Sequence, residues 1–294
     1  MLEDNPDDHL HDQFHRNFWK GHPLGMPIIG SEENIAGMSR DFLTEYKDQN
    51  YLAGDIIITA AGLLEHLPLV DMLAGYVASV RAGNSQKSTF PPLYSKRCGK
   101  TDRNLEQLLL CLGTKALPQN HPGRNDALIL NTILGGSMSS RLFQEVREKA
   151  GLAYSIYSYL TSHSDTGALV ISSGTTPEKF PEVVSIIFRE LSKLKTEPPS
   201  EEELASARTQ LKGNILLSLE SSDNMMSKLA KNEIYFGRYL PIEQIVAGLS
   251  AVTRETMLDL CVDLLDDRFF TMQLLGTMND VLFDVADISL KDSI

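Results

Sequence analysis

Hydrophobic and polar positions along this chain switch between a strand-like and a helix-like period, and the switches mark its elements. "NLEQLLLCLGT" is a nearly continuous apolar run between polar flanks, the pattern of a buried strand. "YSIYSYLTS" and "GALVISSGT" read as two more strands, joined by the turn-rich "HSDTG". "GRNDALILNTILGG", "SMSSRLFQEVREKAG", "PEKFPEVVSIIFRELSKLKTE" and "SEEELASARTQLKGNILLSLES" carry helical spacing instead. Their ends are signposted as well. Gly135 and Gly136 follow the first, Gly151 stops the second, Pro177 is expected at the first position of the third, and Ser200 and Glu203 have capping-box spacing.

One pattern occurs twice. "MPIIGSEENIAGMSRDFLTEYKDQNYLAGDIIITAAG" (Met26–Gly62) aligns without a gap on "LPIEQIVAGLSAVTRETMLDLCVDLLDDRFFTMQLLG" (Leu240–Gly276), each residue meeting the one 214 positions later. Pro27 meets Pro241, Ser39-Arg40-Asp41 meets Thr253-Arg254-Glu255, and Gly62 meets Gly276. Each copy predicts a short helix, a Ser or Thr cap with an acidic first turn, a second helix, and an apolar strand ending in glycine. A repeat of this length means two similar domains. The polar, aperiodic stretch from Gly83 to Lys100, with Pro91 and Pro92, reads as the linker between them. The expected layout is 1–82 for the C-terminal part of a first domain, 83–100 for the linker, 101–287 for a second domain, and 288–294 for a tail. The start of the second domain has its counterpart 214 positions upstream, before residue 1, so the sequence reads as a domain and a half. The fold class is α+β, with two duplicated domains, each a mostly antiparallel sheet packed on helices, and the first of them incomplete.

Composition narrows the chemistry. At 294 residues, with 42% hydrophobic and 22% charged content, the chain has room for two ordinary domains. A formal charge of −12 argues against a nucleic-acid partner, which needs clustered Lys and Arg. Cys98, Cys111 and Cys261 are odd in number and far apart, which indicates neither a disulfide framework nor a cysteine metal site and favours a reducing compartment; the cytoplasm is the favoured expectation because no signal peptide is seen. Apolar runs such as "DIIITAAGLL" fall well short of the roughly 18 residues of a spanning helix, and the N-terminus is acidic; no membrane association is expected.

Near the start, "DDHLHDQFHRNF" places His9, His11 and His15 within one short stretch, and "HDQFH" looks like the zinc signature H-E-x-x-H with Asp12 for glutamate. Aspartate is a methylene shorter, so a base there does not reach a zinc-bound water in the same pose. His9 falls on another side of a helix, and a tetrahedral site needs three convergent groups. The favoured reading is a helix with Phe14 and Phe18 as its buried stripe and no metal ligands. Gly135, Gly136 and Ser137 to Ser140 lack any phosphate-loop spacing and read as a packed backbone turn. Glu220, His22, His66, His121 and His163 read as solvated or packing residues.

"LNTILGGSMSSRLFQEVREKAGLAYSIYS" resembles the second domain of the inverzincin metallopeptidases, the family of pitrilysin, insulinase and mitochondrial processing peptidase. "GHPLGMPIIGSEENI", "DTGALVISSGT" and "LKGNILLSLESSDNMMSKLAKNEIYFGR" are similar to further segments of its short, bacterial-type members, in family order over nearly the whole chain. The resemblance implies zinc-dependent hydrolysis of peptide bonds in peptides or small proteins enclosed between two domains. The family holds zinc in its first domain through H-x-x-E-H and a more distal glutamate. No H-x-x-E-H occurs here, and "MLEDNPDD" matches the stretch just after that glutamate, so the intact protein is expected to use zinc and this chain to bind none. It is therefore expected to be inactive alone and to supply a lid domain. Its implied partners are a peptide substrate and either a missing N-terminal half-domain or a homologous subunit, and a dimer is compatible with this. The alternative is a non-catalytic partner or scaffold subunit. The family pattern also places an arginine and a tyrosine, seven apart, across the cleft from the zinc. In "VREKAGLAY" these are Arg147 and Tyr154, implied donors to the substrate carbonyl and its oxyanion. Without the family, Arg147 reads as pairing with Glu148 and Tyr154 as merely opening a strand.

Overall fold

The computed structural model describes residues 4–85, 90–278 and 281–290. Residues 86–89 of the expected linker and 291–294 of the expected tail lie outside these. Contacts divide the chain into two compact units that exchange segments: Met1–Pro27, Pro91–Lys212 and Glu243–Ile294 form one, and Ile28–Phe90 with Gly213–Ile242 form the other.

The first unit is built on a five-stranded sheet in the order β1-β5-β2-β4-β3, with β1 Arg97–Asp102, β2 Leu108–Ala116, β3 Ala153–Ser162, β4 Gly167–Thr175 and β5 Thr271–Gly276. Only the outer β1–β5 pair is parallel, in the register Arg97↔Thr271; all other neighbours are antiparallel. The central strands β2, β4 and β5 are buried almost throughout, which is why they read as continuous apolar runs rather than alternating ones. One face carries α1 (Pro6–Phe18), whose Leu10, Phe14 and Phe18, spaced four apart, pack with Trp19 on Leu109, Cys111, Val170 and Leu275. Asn5 caps this helix by accepting from the Asp7 amide. Helix α10 (Arg254–Leu264) packs on α5 (Arg124–Leu134), on α6 (Phe180–Thr196) and on β2, and α5 also packs on β3. α6 starts at Phe180, not at Pro177. Pro181 in its first turn supplies the preset φ, and residues 177–179 form a turn ahead of it. The Ser200–Glu203 capping box is present at the start of α7 (Glu201–Ser218), with each residue's side chain bonded to the other's amide at 2.8 and 3.1 Å.

The second unit holds α2 (Glu32–Ala36), α3 (Arg40–Asn50), α4 (His66–Val77), the end of α7, and α8 (Ser222–Phe236), while α9 (Ile242–Ser250) follows directly after. The repeat is visible in detail. Helix α3 and helix α10 span corresponding residues at the 214-position offset, and each is capped by the matching residue, Ser39 in one and Thr253 in the other. The short 3-10 turns Ala53–Asp55 and Asp267–Phe269 correspond too. The expected strand at the end of the first copy is not formed. Ile56, Ile57 and Ile58 are unpaired and exposed, whereas β5 lies between β1 and β2. A strand needs a neighbour to satisfy its backbone groups, and none of the described residues offers one.

Candidate functional site

Arg147 and Tyr154 come together at the free edge of the sheet. "FQEVREK" (Phe143–Lys149) forms a π-helix, a rare winding that recurs at functional sites. Gly151 then takes φ +62°, a left-handed turn that costs glycine nothing, and the chain enters the edge strand β3. Between Ala153 and Ser155 the register against β4 slips, so Tyr154 is the extra residue of a bulge. A bulge re-aims its side chain, and Tyr154 stands 80% exposed. The Arg147 guanidinium lies over its ring, with Cζ 5.1 Å from the centroid, and over the ring of Phe143 at 4.8 Å. Glu148 approaches Arg147 Nε only to 3.9 Å, too far for a hydrogen bond. Glu145, the other carboxylate of this helix, is engaged by Lys149 at 2.6 Å and Arg189 at 3.4 Å, which hold its carboxyl below the usual range.

Further along the same edge, the turn Gly135-Gly136 seals the strand. Ser158 donates its amide to Gly135 O at 3.0 Å and its hydroxyl to Asn131 Oδ1 at 2.8 Å. A Cβ on Gly135 would fall 2.6 Å from the Ser158 nitrogen, so this glycine is a packing requirement of α5 against β3.

The histidines of α1 are used otherwise. His11 sits between two tyrosines of β3, with Nδ1 2.8 Å from the Tyr159 hydroxyl and Nε2 3.1 Å from that of Tyr157. Cys111 Sγ lies 3.5 Å from the same Nδ1, and burial pushes this thiol up to about 12. Burial and the neighbouring His11 and His163 lower His15 to about 4; its ring stacks on Trp19 at 5.1 Å. Asp12 forms an ion pair with Arg16 at 2.8 Å, and His9 bonds Gln13. Among the described residues no three His, Cys, Asp or Glu side chains converge as a metal site. With His11 on two tyrosines, His15 on Trp19 and His9 on Gln13, the histidines of α1 do not fit zinc. Sequence reading did not single out Phe143, Tyr157 or Tyr159. The first stands four before Arg147, a usable signal; the tyrosines meet His11 from some 146 and 148 positions away.

Comparison with known proteins agrees with this architecture. Residues 37–211 match the family model described as the peptidase M16 inactive domain. An uncharacterized zinc protease of Bacillus subtilis, YmxG, is 37% identical over 258 residues, covering 87% of this chain and 62% of the relative. The crystal structure of a peptidase M16 inactive domain from Pseudomonas fluorescens superposes with a TM-score of 0.86 at 22% identity, over 94% of this chain and 67% of that one. A chain of complex III2 from Candida albicans does so at 0.88 and 18%, over 98% and 71%. The chain belongs to the M16 peptidase family, as a C-terminal, inactive-type domain of zinc-protease-like proteins. It spans 62% of the length of the Bacillus subtilis relative, which is less than two thirds.

Proposed function

We propose that this chain is the non-zinc-binding portion of a metalloendopeptidase, and that Arg147 and Tyr154 donate hydrogen bonds to the carbonyl of the peptide bond under attack. The observation that carries this reading is their contact at the exposed start of β3, where two rings hold the guanidinium and Glu148, its ion-pair partner, stays at 3.9 Å, beyond hydrogen-bond distance. Donors preset in this way act most strongly on an oxyanion as it develops. Zinc would be held by residues outside this chain.

The second unit supports the partner in this reading. Its apolar cavity of about 640 Å³ is lined by Ile57, Ile58, Leu69, Leu73, Leu229 and Tyr239, among others. In the first unit, β5 is covered by β2 on one side and α1 on one face. By the repeat, Ile57–Gly62 calls for an equivalent strand beside it, and none of the described residues supplies one. We assign the cavity to strands of the preceding half-domain. A non-catalytic partner subunit is the second reading, since the same fold occurs in complex III2.

The coding sequence read upstream separates the two: an in-frame H-x-x-E-H selects the peptidase, and an open frame without it the partner subunit. In a protein with that motif, Arg147→Ala and Tyr154→Phe should each lower kcat roughly ten- to a thousandfold, the range for one lost oxyanion donor, with zinc content unchanged. Wild-type kcat in both variants overturns the assignment.

A further inference from the structure

The Arg147 guanidinium lies over two aromatic rings: one is that of Tyr154, which the proposed function uses, and the other that of Phe143, which it does not. We propose that Phe143 is a positioning residue that presets Arg147 for the substrate carbonyl. This rests on the reading of Arg147 given above and adds to it how the side chain is held.

A guanidinium is planar, and its five N–H groups all point outward in that plane. A ring stacked on its face attracts the charge without consuming any of those donors, whereas a carboxylate partner would occupy two of them. Two rings held against the charge in this way leave its N–H donors open to a ligand. Phe143 is the fixed half of this clamp. It opens the π-helix, one position after the fully buried Leu142, and is itself only partly exposed, while Tyr154 stands out in solvent. The competing carboxylates do not disturb the arrangement, because Glu145 is held by Lys149 and Arg189, and Glu148 remains 3.9 Å away. An arginine side chain left free pays rotamer entropy when a ligand arrives; one already stacked has lost it beforehand.

Two experiments test this. In the chain as it stands, NMR should show ring-current-shifted Arg147 side-chain resonances that Phe143→Leu moves toward ordinary arginine values; unshifted resonances in the wild type remove the stack and the proposal with it. In the protein carrying its zinc-binding portion, Phe143→Leu should lower kcat roughly three- to tenfold, the worth of one such contact, with KM and melting temperature unchanged. Phe143→Tyr should restore it, and Phe143→Leu should add nothing in an Arg147→Ala background. An equal loss in that background means the ring touches substrate itself and overturns the positioning role, as does wild-type kcat in Phe143→Leu. Should the leucine variant fold poorly, Phe143→Met is read by the same criteria. If Arg147→Ala keeps wild-type kcat, the proposed function fails; if Arg147→Ala is impaired while Phe143→Leu is not, only this inference fails.

Discussion

Gly62 and Gly276 occupy the same place in the two copies of the repeat and adopt the same left-handed-region backbone, φ 142° and 153°, yet only one of them has a neighbour. A Cβ on Gly276 would meet Gln107 O at 2.8 Å and Leu108 Cα at 3.0 Å, whereas one on Gly62 would meet nothing within 4 Å. The local turn is thus written into both copies, and the sheet completes one. Gly276→Ala should destabilise the sheet unit by about 2–4 kcal/mol, combining backbone strain and overlap. Gly62→Ala should leave that unit untouched. Urea titrations followed by Trp19, the one tryptophan of the chain and buried in the sheet unit's core, read this directly. Equal shifts in the two variants would refute it.

A second stability test concerns the docking of α1. The tip of the Phe14 ring points at residue 113 of β2, a glycine, where an added Cβ would come within 2.3 Å of Cζ. Gly113→Ala should cost at least about 2 kcal/mol by forcing the ring aside, and Phe14→Ala about 3–5 kcal/mol. Combining Gly113→Ala with Phe14→Leu should be markedly less than additive. Strict additivity would mean the two do not share one space.

Acid should loosen the same region. His15 titrates near 4 in the folded chain against 6.5 ordinarily, so between these values the unfolded chain binds the extra proton. Its stabilising effect is complete above about pH 6.5 and is lost as the pH falls through 4, with an amplitude on the order of 2–3 kcal/mol. His11 and His163 are lowered by burial and act in the same direction. His15→Phe keeps a ring against Trp19 without the titration and should flatten the urea midpoint between pH 7 and pH 4.5. An unchanged pH slope in that variant counts against the assignment.

Zinc supplied in equimolar amount to this chain alone should not survive gel filtration, since the three histidines of α1 are engaged by tyrosines, by Trp19 and by Gln13. One retained equivalent that disappears in the His11→Ala, His15→Ala double variant would reopen the question of a site on α1.

What could be read in the sequence was what is decided locally. The caps Ser39, Thr253 and Ser200, the stop at Gly151, the stripe Phe14–Phe18 and the strands β2, β3 and β4 all rest on residues a few positions apart. The stretch Ile56–Ile58 has every local mark of a strand, but pairing depends on another segment, and local pattern is silent about that. Pro177 failed as a helix start because Pro181 meets the same requirement one turn later. Arg147 and Tyr154 came from family resemblance, not periodicity. That they touch, and that Phe143 completes the stack, depends on the π-helix and the bulge at Tyr154, and neither has a spacing signature.

The exchange of segments between the two units gives the chain the character of a split protein. A protease that nicks the polypeptide near residue 85 separates α1 by sequence from the sheet whose Leu109, Cys111, Val170 and Leu275 it covers. The severed pieces would still be held by Leu10, Phe14 and Phe18 in the first unit and by the packing of residues 28–85 on 213–242 in the second, so the nicked molecule should elute as one particle and part only when denatured. Mixed afresh, the two fragments should find each other again, as in enzyme complementation. The durability of that union is then set by packing within both units, α1 on the sheet in one and residues 28–85 against 213–242 in the other, rather than by the peptide bond that was cut.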